Sequence, residues 1–131
     1  SDAETAQQAS HVWPQLVPEV ANVGITEREA VEKGIDYRMG HFPFRILGKA
    51  QAEGELDGLV KVIGDSKTGR LLGVHIVGAG ASELIAEAAL AMKSGATADE
   101  VVRTIHAHPT LPEAFKEALE DFEGEAIHLP T

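Results

Sequence analysis

With 131 residues, 44% hydrophobic and 24% charged, the chain has the composition of one soluble globular domain and is too apolar for wholesale disorder. A formal net charge of -10 argues against a nucleic-acid or anionic-membrane partner, since both reward positive charge. Cysteine is absent, which excludes a disulfide scaffold, a thiolate metal site and cysteine catalysis within these residues.

No apolar run is long enough to span a bilayer; the longest, over 84–92, is interrupted by Glu87. The opening residues show neither the basic nor the apolar region of a secretory signal, so the expected location is cytoplasmic. Residues 1–12 read as a polar linker or frayed terminus ahead of a domain over 13–131. Pro14 and Pro18 disfavour a helix over 13–23, where Val17, Val20 and Val23 suit an extended edge strand. Thr26-Glu27-Arg28-Glu29 is a capping box for a short helix that reaches about Lys33 and stops at Gly34. Ile35, Tyr37 and Met39 alternate as in a half-buried strand, continued by Phe42-Pro43-Phe44. Strands over 59–63 and 71–77, joined by the turn at 65–69, predict an antiparallel hairpin.

Gly78-Ala79-Gly80 breaks the chain, Ser82 is expected to cap a helix to about Lys93, and Gly95 ends it. Thr97-Ala98-Asp99-Glu100 is a second capping box, opening a helix to about Ile105. After a break at His106-Ala107-His108-Pro109, Thr110-Leu111-Pro112-Glu113 opens a last helix from Ala114 to about Phe122. Strands in hairpin order followed by helices predict an α+β fold, an antiparallel β-sheet with helices packed on it. The segment over 84–92 leaves almost no polar face. Either another subunit or a further domain covers its second side, or alanine is simply tolerated at its surface.

Gly78-Ala79-Gly80-Ala81-Ser82-Glu83 looks like a phosphate loop, but Glu83 stands where the dinucleotide fingerprint needs a third glycine. Its charge would repel a pyrophosphate, and a tight turn into a helix is the expected role. His106 and His108 could ligate a metal, yet zinc needs a third ligand and His75 or His128 supplies no pattern, so no metal is expected. His11 and His41 carry no signal. His108 precedes a proline and so sits in a sharp break between helices, and loops held by rigid elements are where catalytic groups concentrate. Glu113 lies in the first turn of the next helix. A carboxylate folded back onto the imidazole would hold one tautomer and make it a general base. Thr110 and Glu113 also spell a third capping box, with Pro112 at the second helical position, where no amide hydrogen is needed. On spacing alone the cap is the better account, and the two roles are compatible because Glu113 has two carboxylate oxygens.

Ile105-His106-Ala107-His108-Pro109-Thr110-Leu111-Pro112-Glu113-Ala114 resembles the C-terminal signature of the dihydrolipoamide dehydrogenases, a branch of the flavin-dependent pyridine nucleotide–disulfide oxidoreductases. Pro18-Glu19-Val20-Ala21-Asn22-Val23-Gly24-Ile25-Thr26-Glu27, Gly58-Leu59-Val60-Lys61-Val62-Ile63, Leu72-Gly73-Val74-His75-Ile76-Val77-Gly78 and the ending Ala126-Ile127-His128-Leu129 are similar to that family's interface domain as well. The resemblance runs from about Trp13 to the end. It implies the α+β interface domain of an enzyme that oxidises dihydrolipoyl groups with FAD and NAD. It also implies a homodimer, the FAD and NAD domains of the parent enzyme as partners, and assembly with a 2-oxo acid dehydrogenase complex. His108 would be the active-site base and Glu113 its orienting partner. His108 and Pro109 would face the flavin of the partner subunit, and the His108-Pro109 peptide would be cis. Lacking nucleotide loops and cysteine, the isolated chain is expected to bind neither cofactor and to be inactive. Two departures stand out: Pro112 where that branch commonly has serine, and Leu16-Val17-Pro18-Glu19 where Thr-His-Pro-Glu is common. The alternatives are a stand-alone interaction module and the interface domain of another flavin disulfide reductase.

Overall fold

The computed structural model describes residues 19–44 and 58–124. Within them lie β1 (Val20–Gly24), α1 (Glu27–Glu32), β2 (Tyr37–Pro43), β3 (Gly58–Asp65), β4 (Leu71–Gly78), α2 (Ala81–Lys93), α3 (Ala98–Val102) and α4 (Glu113–Phe122). The linker over 1–12, the extended stretch over 13–18 and the tail at 126–129 lie outside the described residues. One antiparallel sheet runs in the order β1-β4-β3-β2, giving the expected α+β architecture. The expected hairpin is β3–β4, with Gly58 opposite Gly78 and Val62 opposite Val74. Asp65 closes its turn by accepting from the amides of Lys67 and Thr68, both at 2.8 Å. β1 is an edge strand, but it pairs with β4, so the chain crosses by way of α1 to the other edge before β2 begins.

Strand alternation puts Phe42, Val60, Val62, Val74 and Ile76 on one face, almost wholly buried. α2 packs over β4 and β1, and α4 over β2 and β3. α4 turns Ala114, Phe115, Ala118, Leu119 and Phe122 inward, the stripe expected of an amphipathic helix. It approaches the sheet most closely at Gly40. A Cβ there would stand 2.8 Å from Phe122 Cα and nearer still to the Ala118 carbonyl oxygen and the Phe122 amide nitrogen.

The threonine arm of two capping boxes forms: Thr26 Oγ1 accepts from the Glu29 amide at 3.1 Å and Thr97 Oγ1 from the Glu100 amide at 3.3 Å, while the two carboxylates accept from the threonine hydroxyls at 3.3 and 3.2 Å. α2 does not start at Ser82. Gly80 holds the cap position at a left-handed φ of 76°, and its carbonyl accepts from the amides of Glu83 and Leu84 at 3.0 and 2.9 Å. A backbone turn replaces the serine cap. α3 stops at Val102, short of Ile105, because Thr104 diverts the ladder: its hydroxyl donates to Glu100 O at 3.0 Å, and its amide bonds Val101 O. α2 buries Ala81, Leu84, Ala88 and Ala91 and leaves Leu90 68% exposed, so its second apolar side has no cover among the described residues.

Candidate active site

The ten residues between α3 and α4 carry the site. Thr110 Oγ1 donates to Ala107 O at 2.5 Å, folding the segment back on itself around Pro109. The His108-Pro109 peptide is cis, as the resemblance implied. Leu111 packs towards the Gly80 turn, and residues 110–112 with Gly80, Glu83 and Leu84 line a cavity of about 230 Å³ beside the start of α2.

Glu113, in the first turn of α4, folds back onto this loop. Its two carboxylate oxygens lie 3.0 and 2.9 Å from His108 Nδ1, and Oε1 also accepts from the Thr110 amide at 2.8 Å. The capping box is therefore half formed. Glu113 reaches back to the Thr110 amide, but the Thr110 hydroxyl is spent on Ala107 instead of the Glu113 amide. Pro112 occupies the cap position of α4, with no side-chain bond, and not the second helical position.

Burial works against the charge on Glu113, but the His108 hydrogen bond, the Thr110 amide and the positive charges nearby outweigh it. The carboxyl is held below its ordinary value of 4.5. An ionised carboxylate can only accept, so His108 Nδ1 carries the hydrogen and donates. In the neutral ring the lone pair is then at Nε2. The His108 side chain is 77% exposed, so Nε2 is presented outward from a ring pinned at its other nitrogen. Pro109, next in the chain, is exposed beside it.

The other histidines do not join this site. His106 turns inward, with Nδ1 2.8 Å from Thr104 O and Nε2 2.6 Å from Glu87 Oε2, so it and His108 do not share a metal. Among the described residues there is no cluster of three metal-capable side chains. His75 lies on the outer sheet face with Nδ1 2.8 Å from Asn22 Oδ1 and Nε2 2.8 Å from Ile25 O. His41 Nδ1 stands 3.5 Å from Asp121 Oδ2. The Gly78–Glu83 turn is not a phosphate cradle, since its Gly80 amide already donates to the chain's own Glu19 carboxylate at 2.7 Å. The Glu87–His106 and Glu19–Gly80 contacts had no local signal in the sequence. Their partners lie 19 and 61 residues apart.

Fold and site together define an α+β domain that presents a carboxylate-held imidazole on its surface instead of enclosing it in a pocket. The chain belongs to the family described as pyridine nucleotide-disulphide oxidoreductase, dimerisation domain, whose model matches residues 16–119. It is thus a dimerisation domain of the pyridine nucleotide-disulphide oxidoreductases. Relatives named dihydrolipoyl dehydrogenase, mitochondrial, from Schizosaccharomyces pombe and Homo sapiens are 56% and 50% identical over 112 and 101 residues. These matches cover 85% and 77% of this chain but 22% and 20% of the relatives. The chain therefore spans about a fifth of the length of the curated relatives it matches. Among solved structures, LpdA from Mycobacterium tuberculosis superimposes with a TM-score of 0.74 at 29% identity, over 79% of this chain and 22% of that one. The HOCl-induced flavoprotein disulfide reductase RclA from Escherichia coli gives 0.75 at 27% identity, over 79% and 23%. The mitochondrial names overturn the expected cytoplasmic location and point to the mitochondrion. That expectation rested on the opening residues of this chain, and a targeting address can lie in the remaining four-fifths of such a protein.

Proposed function

We propose that residues 13–131 are the C-terminal interface domain of a dihydrolipoyl dehydrogenase, with 1–12 as the linker to it, and that His108 is its active-site base. One observation carries the chemistry: a solvent-facing Nε2 on a ring whose Nδ1 is held by both oxygens of Glu113. The names of the relatives supply the substrate class, a dihydrolipoyl dithiol. A thiol near pKa 8.5 is mostly protonated at neutral pH, and the thiolate is the reactive form in disulfide exchange. His108 Nε2 takes the thiol proton, Glu113 balances the resulting ring charge, and Nε2 later returns the proton.

When bound to the parent enzyme, FAD and NAD would supply the electron-accepting chemistry, and this domain would supply the proton acceptor. His108 and Pro109 are exposed on the surface of the domain, which suits contact with the flavin of the partner subunit across a homodimer interface. Cofactor-binding domains in the rest of the parent enzyme, and its assembly with a 2-oxo acid dehydrogenase complex, complete the reading. Stopped-flow reduction of the flavin by dihydrolipoamide, measured on the full-length His108→Gln dimer, tests it. The rate should fall by about 10² to 10⁴, the usual worth of a general base. A parental rate would leave His108 as a turn residue and Glu113 as a cap.

A further inference from the structure

Two residues before His108, a second histidine faces the opposite way. The His106 side chain is only 4% exposed, although Ile105, Ala107 and His108 around it are exposed. Its two ring nitrogens meet Thr104 O and Glu87 Oε2, and both of those are acceptors. The ring is thus held at both nitrogens, and the contact to Glu87 is short, at 2.6 Å. Glu87 is no loose surface partner, because it sits on α2, which is fixed in the core through Leu84, Ala88 and Ala91.

The loop that carries His108 is consequently tied at two places to two different helices. Downstream, the Thr110 amide is held by Glu113 of α4. Upstream, His106 is held by Glu87 of α2. Glu113 also holds the His108 ring, so the α4 tie is double, whereas Arg103 to Asp99, Thr104 to Glu100 and Thr110 to Ala107 are local and do not fix where the upstream half of the loop lies.

We propose that the His106–Glu87 pair is a positioning clamp for the base: it anchors the loop on α2 so that His108 Nε2 is presented at one defined place. The inference rests on the role assigned to His108 above. A proton acceptor works only within hydrogen-bond reach of its donor, and misplacement by about 1 Å can cost about 10²-fold in rate. His106 does not touch the substrate in this scheme; it acts through His108.

Four full-length flavoprotein dimers test this: the parent, His106→Leu, His108→Gln and the double variant. Flavin reduction by dihydrolipoamide is followed in stopped flow and expressed per bound flavin in dimers of verified mass. Amide hydrogen exchange is read over residues 103–111. His106→Leu should slow reduction by about 10- to 10²-fold and speed exchange in the loop. Added to His108→Gln it should slow reduction no further, since a residue acting through another has nothing left to position. Glu87→Ala severs the same contact from α2 and must give the same pattern, which keeps the test open if His106→Leu fails to assemble. A parental rate in these variants, or the same slowing in both backgrounds, would overturn the clamp while leaving the base in place. A parental rate for His108→Gln itself would overturn the base and the clamp together.

Discussion

Replacing Gly40 by alanine separates the packing of α4 from every other feature of the fold. The backbone at Gly40 does not require glycine for its dihedrals. The requirement is space, because a Cβ would overlap the Ala118 carbonyl oxygen and the Phe122 amide nitrogen and stand 2.8 Å from Phe122 Cα. All three are backbone atoms of one helix, so no side-chain rotation can relieve the overlap. Restoring the roughly 3.5 Å separation of touching carbons requires α4 to retreat by about 1 Å. That retreat unpacks Phe115, Leu119 and Phe122 from the sheet. The expected cost is about 3 kcal/mol, the upper end for overpacking. In urea unfolding of the chain followed by circular dichroism, the midpoint should drop by about 1–2 M for an ordinary slope. Gly34→Ala is the contrasting case: φ is +67° but nothing lies within 4 Å, so its cost, about 1 kcal/mol, is conformational and not steric. Asparagine, which tolerates the left-handed region, should relieve the penalty at Gly34 and worsen it at Gly40. An unchanged midpoint for Gly40→Ala would refute the close approach of α4 to β2.

Glu113→Gln should cost about 1–2 kcal/mol at neutral pH, as expected for hydrogen bonds to a charged group. Because the folded carboxyl lies below its ordinary 4.5, its contribution is complete above that pH and is lost as pH falls through the folded value. The gap between parent and variant in urea midpoints should therefore close as pH falls below the ordinary carboxylate range; a gap that widens there would reverse the assignment. Leu90, exposed on α2, is predicted to be buried in a symmetric dimer. Leu90→Glu should weaken self-association by about 10- to 10²-fold, from the roughly 1.5–3 kcal/mol of one buried leucine; light scattering that shows equal dimer for both chains would exclude α2 from the interface.

The local parts of the fold were legible because their signals are local. Thr26 with Glu29, Thr97 with Glu100, and the Asp65 turn each spell their hydrogen bonds within four residues. The start of α2 was misread because Ser82 is a good capping residue, while Gly80 builds the turn from backbone alone and Glu19 supports it from far up the chain. The pairing of β1 with β4 could not be inferred from neighbours in sequence, since it joins segments about fifty residues apart. At the site, the spacing of His108 and Glu113 permitted contact but favoured a full cap. In the structure the Thr110 hydroxyl turns to Ala107, and the Glu113 carboxylate has oxygens enough to meet the Thr110 amide and the imidazole together. The His106–Glu87 contact carries no sequence signal, because a part-buried hydrogen bond across 19 residues is a product of tertiary packing.

On the proposed reading, this domain lends its base to the other subunit. Hybrid dimers of the full-length enzyme test it most directly, pairing a His108→Gln protomer with one in which the cysteines of the redox disulfide, which on this reading lies in the other domains of the parent enzyme, are replaced by serine. Neither homodimer can oxidise dihydrolipoamide efficiently. If His108 acts across the interface, the hybrid contains one whole site, formed by the cysteines of the first protomer and His108 of the second, and oxidation of dihydrolipoamide returns on mixing. If hybrids of verified composition stay as slow as the two homodimers, His108 does not serve the site of the partner subunit, and the account is contradicted.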